Sequence, residues 1–259
     1  MKICMHNRQE SKYLNLADEI KIGFNDRKSL PDMFEKYPEK IFILELYSDS
    51  EIDWDEMKEY NILSREHLIF CIANKEQMNR CKEIEAKFYF GYPISNFYDL
   101  RAAIANGVVY VRLDSPIFFQ LDRVKKLGVP VRAVPNVAYL DFIPRPEGVC
   151  GTWIRPEDLE DYEKYIDVIE FEDCDERKEQ ALYRIYIEQK EWPGELNDII
   201  TNFNYKGTNR MIPPHVFGAR RIKCGQKCQE TDKCKICYRF LDLANPELFS
   251  GYRDTTNLT

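Results

Sequence analysis

The sequence contains no run of about 18 consecutive apolar residues, so no segment of it reads as a membrane-spanning helix. It also lacks an excess of basic residues: 37 Lys and Arg stand against 44 Asp and Glu, a formal charge of -7. A protein that coats duplex DNA needs a basic stripe to release counterions, so duplex DNA is excluded as a principal partner. A Walker A loop, a G-x-S-x-G elbow, an H-E-x-x-H helix and a dinucleotide fingerprint are all missing, which removes the enzyme classes built on them. The first residues, MKICMHNRQE, carry neither the apolar stretch nor the small-residue cleavage site of a secretory signal, so the expected location is cytoplasmic.

What is present is a chain of 259 residues with 44% hydrophobic residues, including 16 Tyr, 15 Phe and 3 Trp. That is too apolar and too aromatic for a disordered tail, and long enough to bury a core without disulfides. Nine cysteines, an odd number without a secretory signal, are not a disulfide framework. In a reducing compartment clustered thiols point to metal or redox chemistry, whereas scattered ones act as small core hydrophobes.

Short apolar runs recur at 2–6, 19–24, 40–46, 67–73, 87–92, 108–114, 129–134 and 166–171. Most are near-continuously apolar, as strands covered on both faces are. Helical spacing fills the intervals at 32–37, 54–60 after Asp53, 75–86 after Asn74, 96–107 after Ser95, 117–128 after Ser115-Pro116, and 155–165. Gly107 and Gly128 read as helix stops. Sustained β/α alternation implies parallel strands joined by crossover helices, and eight strands predict a closed (β/α)8 TIM-like barrel over an open doubly wound sheet. The first two βα units look abbreviated. The barrel is expected over 1–174, with an appended C-terminal segment over 175–259 that opens on helices at 176–192 and 193–203 and becomes rich in cysteine.

Side chains alternate along a strand, so the charged residues among apolar ones point into the barrel. In VVYVRLD, Val109, Val111 and Leu113 are expected to face the helices, which turns Arg112 inward with Tyr110 and Asp114. The same rule turns Arg132, Glu45 and Glu170 inward and leaves His6 at the C-terminal end of its strand. His6, Glu45 and Glu170 are the candidate proton-handling residues, and Arg112 and Arg132 the candidate clamp for a small anionic molecule. The alternative is that the arginines and glutamates neutralise one another as a buried network. Depth decides between them: catalysis belongs at the C-terminal mouth, structure lower down.

The sharpest motif is C-x3-C-x5-C-x2-C, formed by Cys224, Cys228, Cys234 and Cys237. Four thiols within fourteen residues converge on one centre at little loop-closure cost, and thiolates suit zinc and iron–sulfur clusters alike. Cys150 reads either as an extra ligand or as a buried loop cysteine, and His215 either as an alternative ligand or as a loop histidine without a metal; Cys4, Cys71, Cys81 and Cys174 read as structural, as does His67. Around the motif runs a basic stretch of Arg220, Arg221, Lys223, Lys227, Lys233, Lys235 and Arg239, interleaved with Tyr238 and Phe240, which reads either as an RNA contact or as a solvated face.

The segment CGTWIRPEDLEDYEKYIDVIEF (150–171), an I-R-P-E helix start leading through D-x-Y-E into a strand, resembles the collagenase-like peptidase family, and the C-terminal cysteine run is similar to that family's cysteine sets. The resemblance implies a barrel bearing a four-cysteine [4Fe–4S] cluster and an oxygen-independent hydroxylation of an RNA base or a small aromatic ring, with prephenate as the oxygen donor. It would make Cys224, Cys228, Cys234 and Cys237 the cluster ligands. The sequence shows no protease constellation to support the family's older label. The competing expectation is a zinc-stapled barrel that binds a partner or sits in a larger protein assembly without catalysis.

Overall fold

A computed structural model of the chain describes residues 1–7, 14–48, 52–59, 66–137, 152–172, 174–188, 191–201 and 209. Each of the eight apolar runs forms a strand: β1 Lys2–His6, β2 Glu19–Gly23, β3 Ile41–Glu45, β4 Leu68–Ile72, β5 Lys87–Phe90, β6 Val111–Arg112, β7 Val131–Ala133 and β8 Val168–Glu170. All pair in parallel, in the order β5-β4-β3-β2-β1-β8-β7-β6. The two ends of this sheet meet. Val109 N–H donates to Phe88 O at 2.9 Å, and Ile94 N–H donates to Arg112 O at 2.9 Å. The result is the nearly closed (β/α)8 TIM-like barrel that the strand count predicts.

Residues paired in register share a face, so the pairing fixes the inner ring. Cys4 lies opposite Glu19 on one side and Glu170 on the other, His6 opposite Lys21, and Gly23 opposite Glu45. Glu45 in turn faces Cys71, Cys71 faces Tyr89, and Arg112 faces Arg132. Cys4, Ile43, Ile69, Cys71, Tyr89, Tyr110 and Val168 form a buried cluster inside this ring. Val109, which precedes β6, packs against that cluster.

Helix boundaries follow their caps. Asp53 Oδ1 accepts from Asp55 N–H at 3.0 Å ahead of α2 (Trp54–Glu59), and Asn74 Oδ1 accepts from Gln77 N–H at 2.9 Å ahead of α3 (Lys75–Glu83). The cap of α4 (Phe97–Ala105) is Asn96, not Ser95: its Oδ1 accepts from Asp99 N–H at 2.9 Å. Gly107 and Gly128 adopt φ of 86° and 72°, left-handed conformations that glycine enters without a Cβ penalty. The abbreviated first units are 3-10 turns at Leu14–Leu16 and Phe24–Ser29, the latter running into α1 (Leu30–Lys36).

Three expected helices are broken or reduced to a single turn. The 117–128 stretch is split into α5 (Ser115–Phe118) and α6 (Leu121–Lys125), because Gln120 leaves the helical region at φ -130°, ψ 33°. The 155–165 stretch is a 3-10 turn, Pro156–Asp158, followed by α7 (Leu159–Tyr162). The last, 193–203, contracts to α9 (Leu196–Ile199), whose capping box joins Glu195 and Asp198 and which ends at the extended Ile200. Between α7 and α9, α8 (Glu176–Glu188) forms inside the expected 176–192 stretch, of which residues 191–192 are not helical.

The chain separates into two compact units that interleave in sequence. One comprises Met1–Leu113, Leu127–Ala133 and Ile166–Glu170, and so holds every barrel strand; the other comprises Asp114–Lys126, Val134–Tyr165 and Phe171–Thr259. Among the described residues no helix is long and apolar enough to cross a membrane.

Candidate active site at the barrel mouth

Inside the barrel the charged residues form a chain of alternating sign. Tyr110 Oη donates to Glu19 Oε1 at 2.7 Å, Arg132 Nη2 donates to Glu19 Oε2, and Arg132 Nη1 donates to Glu170 Oε2 at 2.9 Å. The other oxygen of Glu170 accepts from Lys21 Nζ at 2.6 Å, and the same ammonium lies 2.6 Å from Glu45 Oε1. His6 Nε2 stands 3.6 Å from Glu170 Oε1. Arg132 is further enclosed by two tyrosine rings, with its guanidinium carbon 4.9 Å from the Tyr89 centroid and 4.8 Å from that of Tyr110. Cation–π contact and ion pairing together offset the desolvation of a fully buried guanidinium.

Burial grades along this chain. Glu19, Arg132 and Glu170 are fully buried and Lys21 nearly so, but the side chains of His6 and Glu45 are 24% and 26% exposed. His6, Glu45, Arg112 and Glu170 each end their strand, so the network opens at the C-terminal face, where barrel enzymes carry their chemistry. Burial alone would raise the Glu170 carboxyl; Lys21 first, then His6, Arg132 and Arg112, hold it well below the usual carboxylate range. Burial pushes the Tyr89 phenol and the Cys4 thiol well up and raises the Cys71 thiol, so these interior groups stay neutral beside the charges. Burial, and then Glu19, raise Tyr110 in the same direction.

The five barrel residues singled out from sequence are brought to one barrel interior, but they divide by role. His6 and Glu45 reach solvent, and Glu170 lies directly behind His6. Arg132 is no open clamp: both its outer nitrogens are taken by Glu19 and Glu170 and its faces by tyrosines, so it serves the network. Arg112, 6% exposed, adds its charge to the field that lowers Glu170. Sequence reasoning left out Glu19 and Lys21, which complete the chain. The alternation in β2, with Ile20 and Ile22 on one face and Glu19 and Lys21 on the other, carried the signal.

Tyr47 also belongs to this end of the barrel. Two residues beyond β3, its carbonyl oxygen accepts from the buried Gln77 Nε2 at 2.9 Å, while Gln77 Oε1 accepts from Ala73 N–H at 2.7 Å. Its hydroxyl lies over Gly23, 2.9 Å from where a Cβ would stand. Burial, and then the neighbouring Glu45, raise its proton affinity against the opposing effect of Lys21.

The I-R-P-E residues lie in the second compact unit and do structural work there. Arg155 donates from Nε and Nη2 to the two oxygens of Asp158 at 2.6 and 2.9 Å, and from Nη1 to Asn209 Oδ1 at 3.2 Å. Asn209 Nδ2 donates to Glu157 Oε1 and to Trp192 O, the latter at 2.9 Å. Tyr186 Oη, on α8, donates to Ile154 O at 2.5 Å. Burial raises the Glu157 carboxyl, while Arg155 and Asn209 oppose it.

Cys150, His215, Cys224, Cys228, Cys234, Cys237 and the basic stretch from Arg220 to Phe240 lie outside the described residues. Among the described residues no three His, Cys, Asp or Glu side chains are grouped to hold a metal ion. Cys4, Cys71 and Cys81 are buried free thiols, as their structural reading expects, and Cys174 is half-buried. His67 precedes β4, and its carbonyl oxygen accepts from Phe42 N–H at 2.8 Å.

No protein-family model matches the chain, and no curated protein matches it. Among solved structures, the chain is similar at 11% identity and a TM-score of 0.42 to a designed cube-shaped, highly porous protein cage made by fusing symmetric oligomeric domains, over 99% of this chain and 83% of that one. A likeness that distant carries no argument.

Proposed function

We propose that the protein is an enzyme that binds a small anionic molecule at the barrel mouth and moves a proton there. The observation that carries this reading is the grading of one ionic chain from full burial to a quarter exposed at the C-terminal ends of the strands. A purely structural network has no reason to place an imidazole and a carboxylate where solvent and substrate reach them. In this reading His6 exchanges the proton, Glu170 behind it holds the ring, and Glu45 is the second accessible acid–base group. Lys21, tied to both glutamates, keeps Glu170 ionised and anchors Glu45, and Arg132 with Glu19 holds the arrangement from below.

The reading extends, through the family resemblance, to an oxygen-independent hydroxylation of an RNA base or a small aromatic ring in the reducing cytoplasm. Cys224, Cys228, Cys234 and Cys237 are the residues that would hold a [4Fe–4S] cluster, since four thiols within fourteen residues can meet at one centre, a property that zinc ligation shares. Such a cluster supplies electron transfer, and the barrel residues supply binding and proton movement.

The test is the absorption spectrum of full-length protein purified without oxygen, with iron, zinc and sulfide assayed on the same sample. A broad band near about 400 nm with about four irons and four sulfides per chain supports the cluster. About one zinc per colourless chain overturns it and leaves a zinc-stapled binding or assembly module.

A further inference from the structure

Arg155 is a buried cation between two buried acids, and it does not divide itself evenly. Its Nε and Nη2 form the parallel pair with Asp158, at 2.6 and 2.9 Å. Glu157 receives only the third nitrogen, Nη1, at 3.2 Å from Oε1, and shares it with Asn209 Oδ1. The same Oε1 accepts from Asn209 Nδ2. The other carboxyl oxygen, Oε2, is shut off from solvent and meets no donor. A sealed oxygen without a donor is tolerable on a neutral carboxyl and costly on an ionised one.

The elements packed around the turn bring it no further charge of the right sign. α7 continues the turn with Glu160 and Asp161, both acids. α8 presents Tyr186, whose phenol is raised by burial and then by Glu157, and, two turns away on the same side, the buried Glu179. Of the basic residues of α8, Arg177 and Arg184 are exposed and Lys178 donates to Thr201 Oγ1 at 3.0 Å. Trp192 supplies a carbonyl oxygen, to Asn209. Among the described residues Arg155 alone brings positive charge to Glu157.

We propose that Glu157 binds a proton on Oε2 in the native protein, and that this proton locks the clasp between the 156–158 turn and Asn209. It is independent of the reading of the barrel mouth. With the proton on, Oε2 carries no charge and Oε1 still accepts from Asn209. With the proton off, charge falls on an oxygen that nothing meets, and the relief is to open the cluster to water. Arg155 and Asp158 belong to the turn itself, so the contact that opens is the distant one. Asn209 comes from 52 residues further along the chain and is the described residue nearest in sequence to the cysteine motif. Burial raises the Glu157 carboxyl against Arg155 and Asn209, in the direction this requires. The folded cluster therefore takes up the proton more readily than the open one. Its contribution is complete in acid, below about pH 4.3, and is lost as the pH rises through the raised folded value. Glu170 shifts stability the opposite way, so a general loss of the fold cannot imitate this behaviour.

The test is a titration of full-length protein carrying carbon-13 in its glutamate carboxyls, from neutral to acid pH, with the Glu157 resonance identified by its absence from Glu157→Gln. In parallel, hydrogen exchange is followed at the Asn209 amide, whose N–H donates to Gly194 O at 3.1 Å, and expressed as a protection factor so that intrinsic base catalysis is divided out. The Glu157 resonance titrates with a midpoint above the ordinary value of about 4.3. Protection of Asn209 falls by up to about tenfold per pH unit between that value and the raised midpoint, and levels off beyond it. In Glu157→Gln, neutral at every pH and still an acceptor for Asn209, the protection no longer varies with pH. Should that variant fail to fold, the two wild-type measurements decide. A Glu157 midpoint at or below about 4.3 overturns the proton site. A raised midpoint with constant protection of Asn209 overturns the clasp, and protection that still falls in Glu157→Gln assigns the effect to another group and overturns it as well.

Discussion

Lys21 and Glu170 are 149 residues apart in sequence and 2.6 Å apart inside the barrel, both withdrawn from solvent. Each also serves a second partner: Lys21 meets Glu45, and Glu170 meets Arg132. A buried pair of this kind is weak evidence of net stabilisation, since desolvation opposes attraction, but removing one member strands the other.

Lys21→Met therefore destabilises the protein by about 3 kcal/mol, because Glu170 is left with one cation fewer in a dry interior. Urea denaturation at neutral pH measures it. A midpoint equal to that of wild type would show that the rest of the network compensates fully.

The same carboxylate sets a pH dependence. Glu170 is held well below its ordinary range in the folded barrel, whereas in the unfolded chain it titrates normally, at about 4.3. As the pH falls the unfolded chain takes up the proton first. The stabilisation is therefore complete above about pH 5 and is lost as the pH drops through the ordinary range towards the depressed folded value. Stability curves of wild type and Glu170→Gln, measured by denaturant from neutral to acid pH, should converge on acidification. A gap that stays constant would mean that the charge of Glu170 contributes nothing.

Arg155→Lys should cost about 2 kcal/mol, although the charge is retained. An ammonium cannot reproduce the two parallel bonds to Asp158 while also reaching Asn209, so a buried acceptor is left without its donor. Thermal or chemical denaturation of the variant reads this directly, and Tyr186→Phe, which removes the hydroxyl that donates to Ile154 O and, at longer range, to Pro135 O, should cost about 1 kcal/mol.

The buried thiols should be chemically silent in the native protein. Burial pushes Cys81 up to about 12 and raises Cys4 and Cys71 as well, so the reactive thiolate is scarce and sheltered. Iodoacetamide labelling at mildly alkaline pH, read out by peptide mass spectrometry, should leave these three unmodified until denaturant is added. Fast native labelling at Cys4 would place a path for reagent into the barrel.

The strands and their inward charges were legible because a period of two is a local property: Arg112, Arg132, Glu45 and Glu170 announce themselves as polar residues among apolar ones. Glu19 and Lys21 obey the same rule, yet two charges in a five-residue strand read equally well as a face turned to water. What distinguishes them is the partner supplied by β7 or β8, more than a hundred residues later. The role of Arg132 was illegible for a similar reason, since whether a guanidinium is open or enclosed depends on the rings around it. The approach of the Tyr47 hydroxyl to Gly23 was also beyond reach, as it depends on the path of the chain beyond β3. The helix ends at Asn74 and Gly107 were local and legible; the break at Gln120 was not.

The strand order has a consequence for the nascent chain. β1 lies between β2 and β8, so its first neighbour follows within about twenty residues and its second arrives only when residues 168–170 have been made. At a synthesis rate of roughly 5–20 residues per second, one edge of β1 stays unpaired for on the order of ten seconds or more. During that interval Cys4 and the cavity-facing charges of β2 wait without Arg132 and Glu170. An exposed strand edge of this kind is where a chaperone would be expected to engage the growing polypeptide.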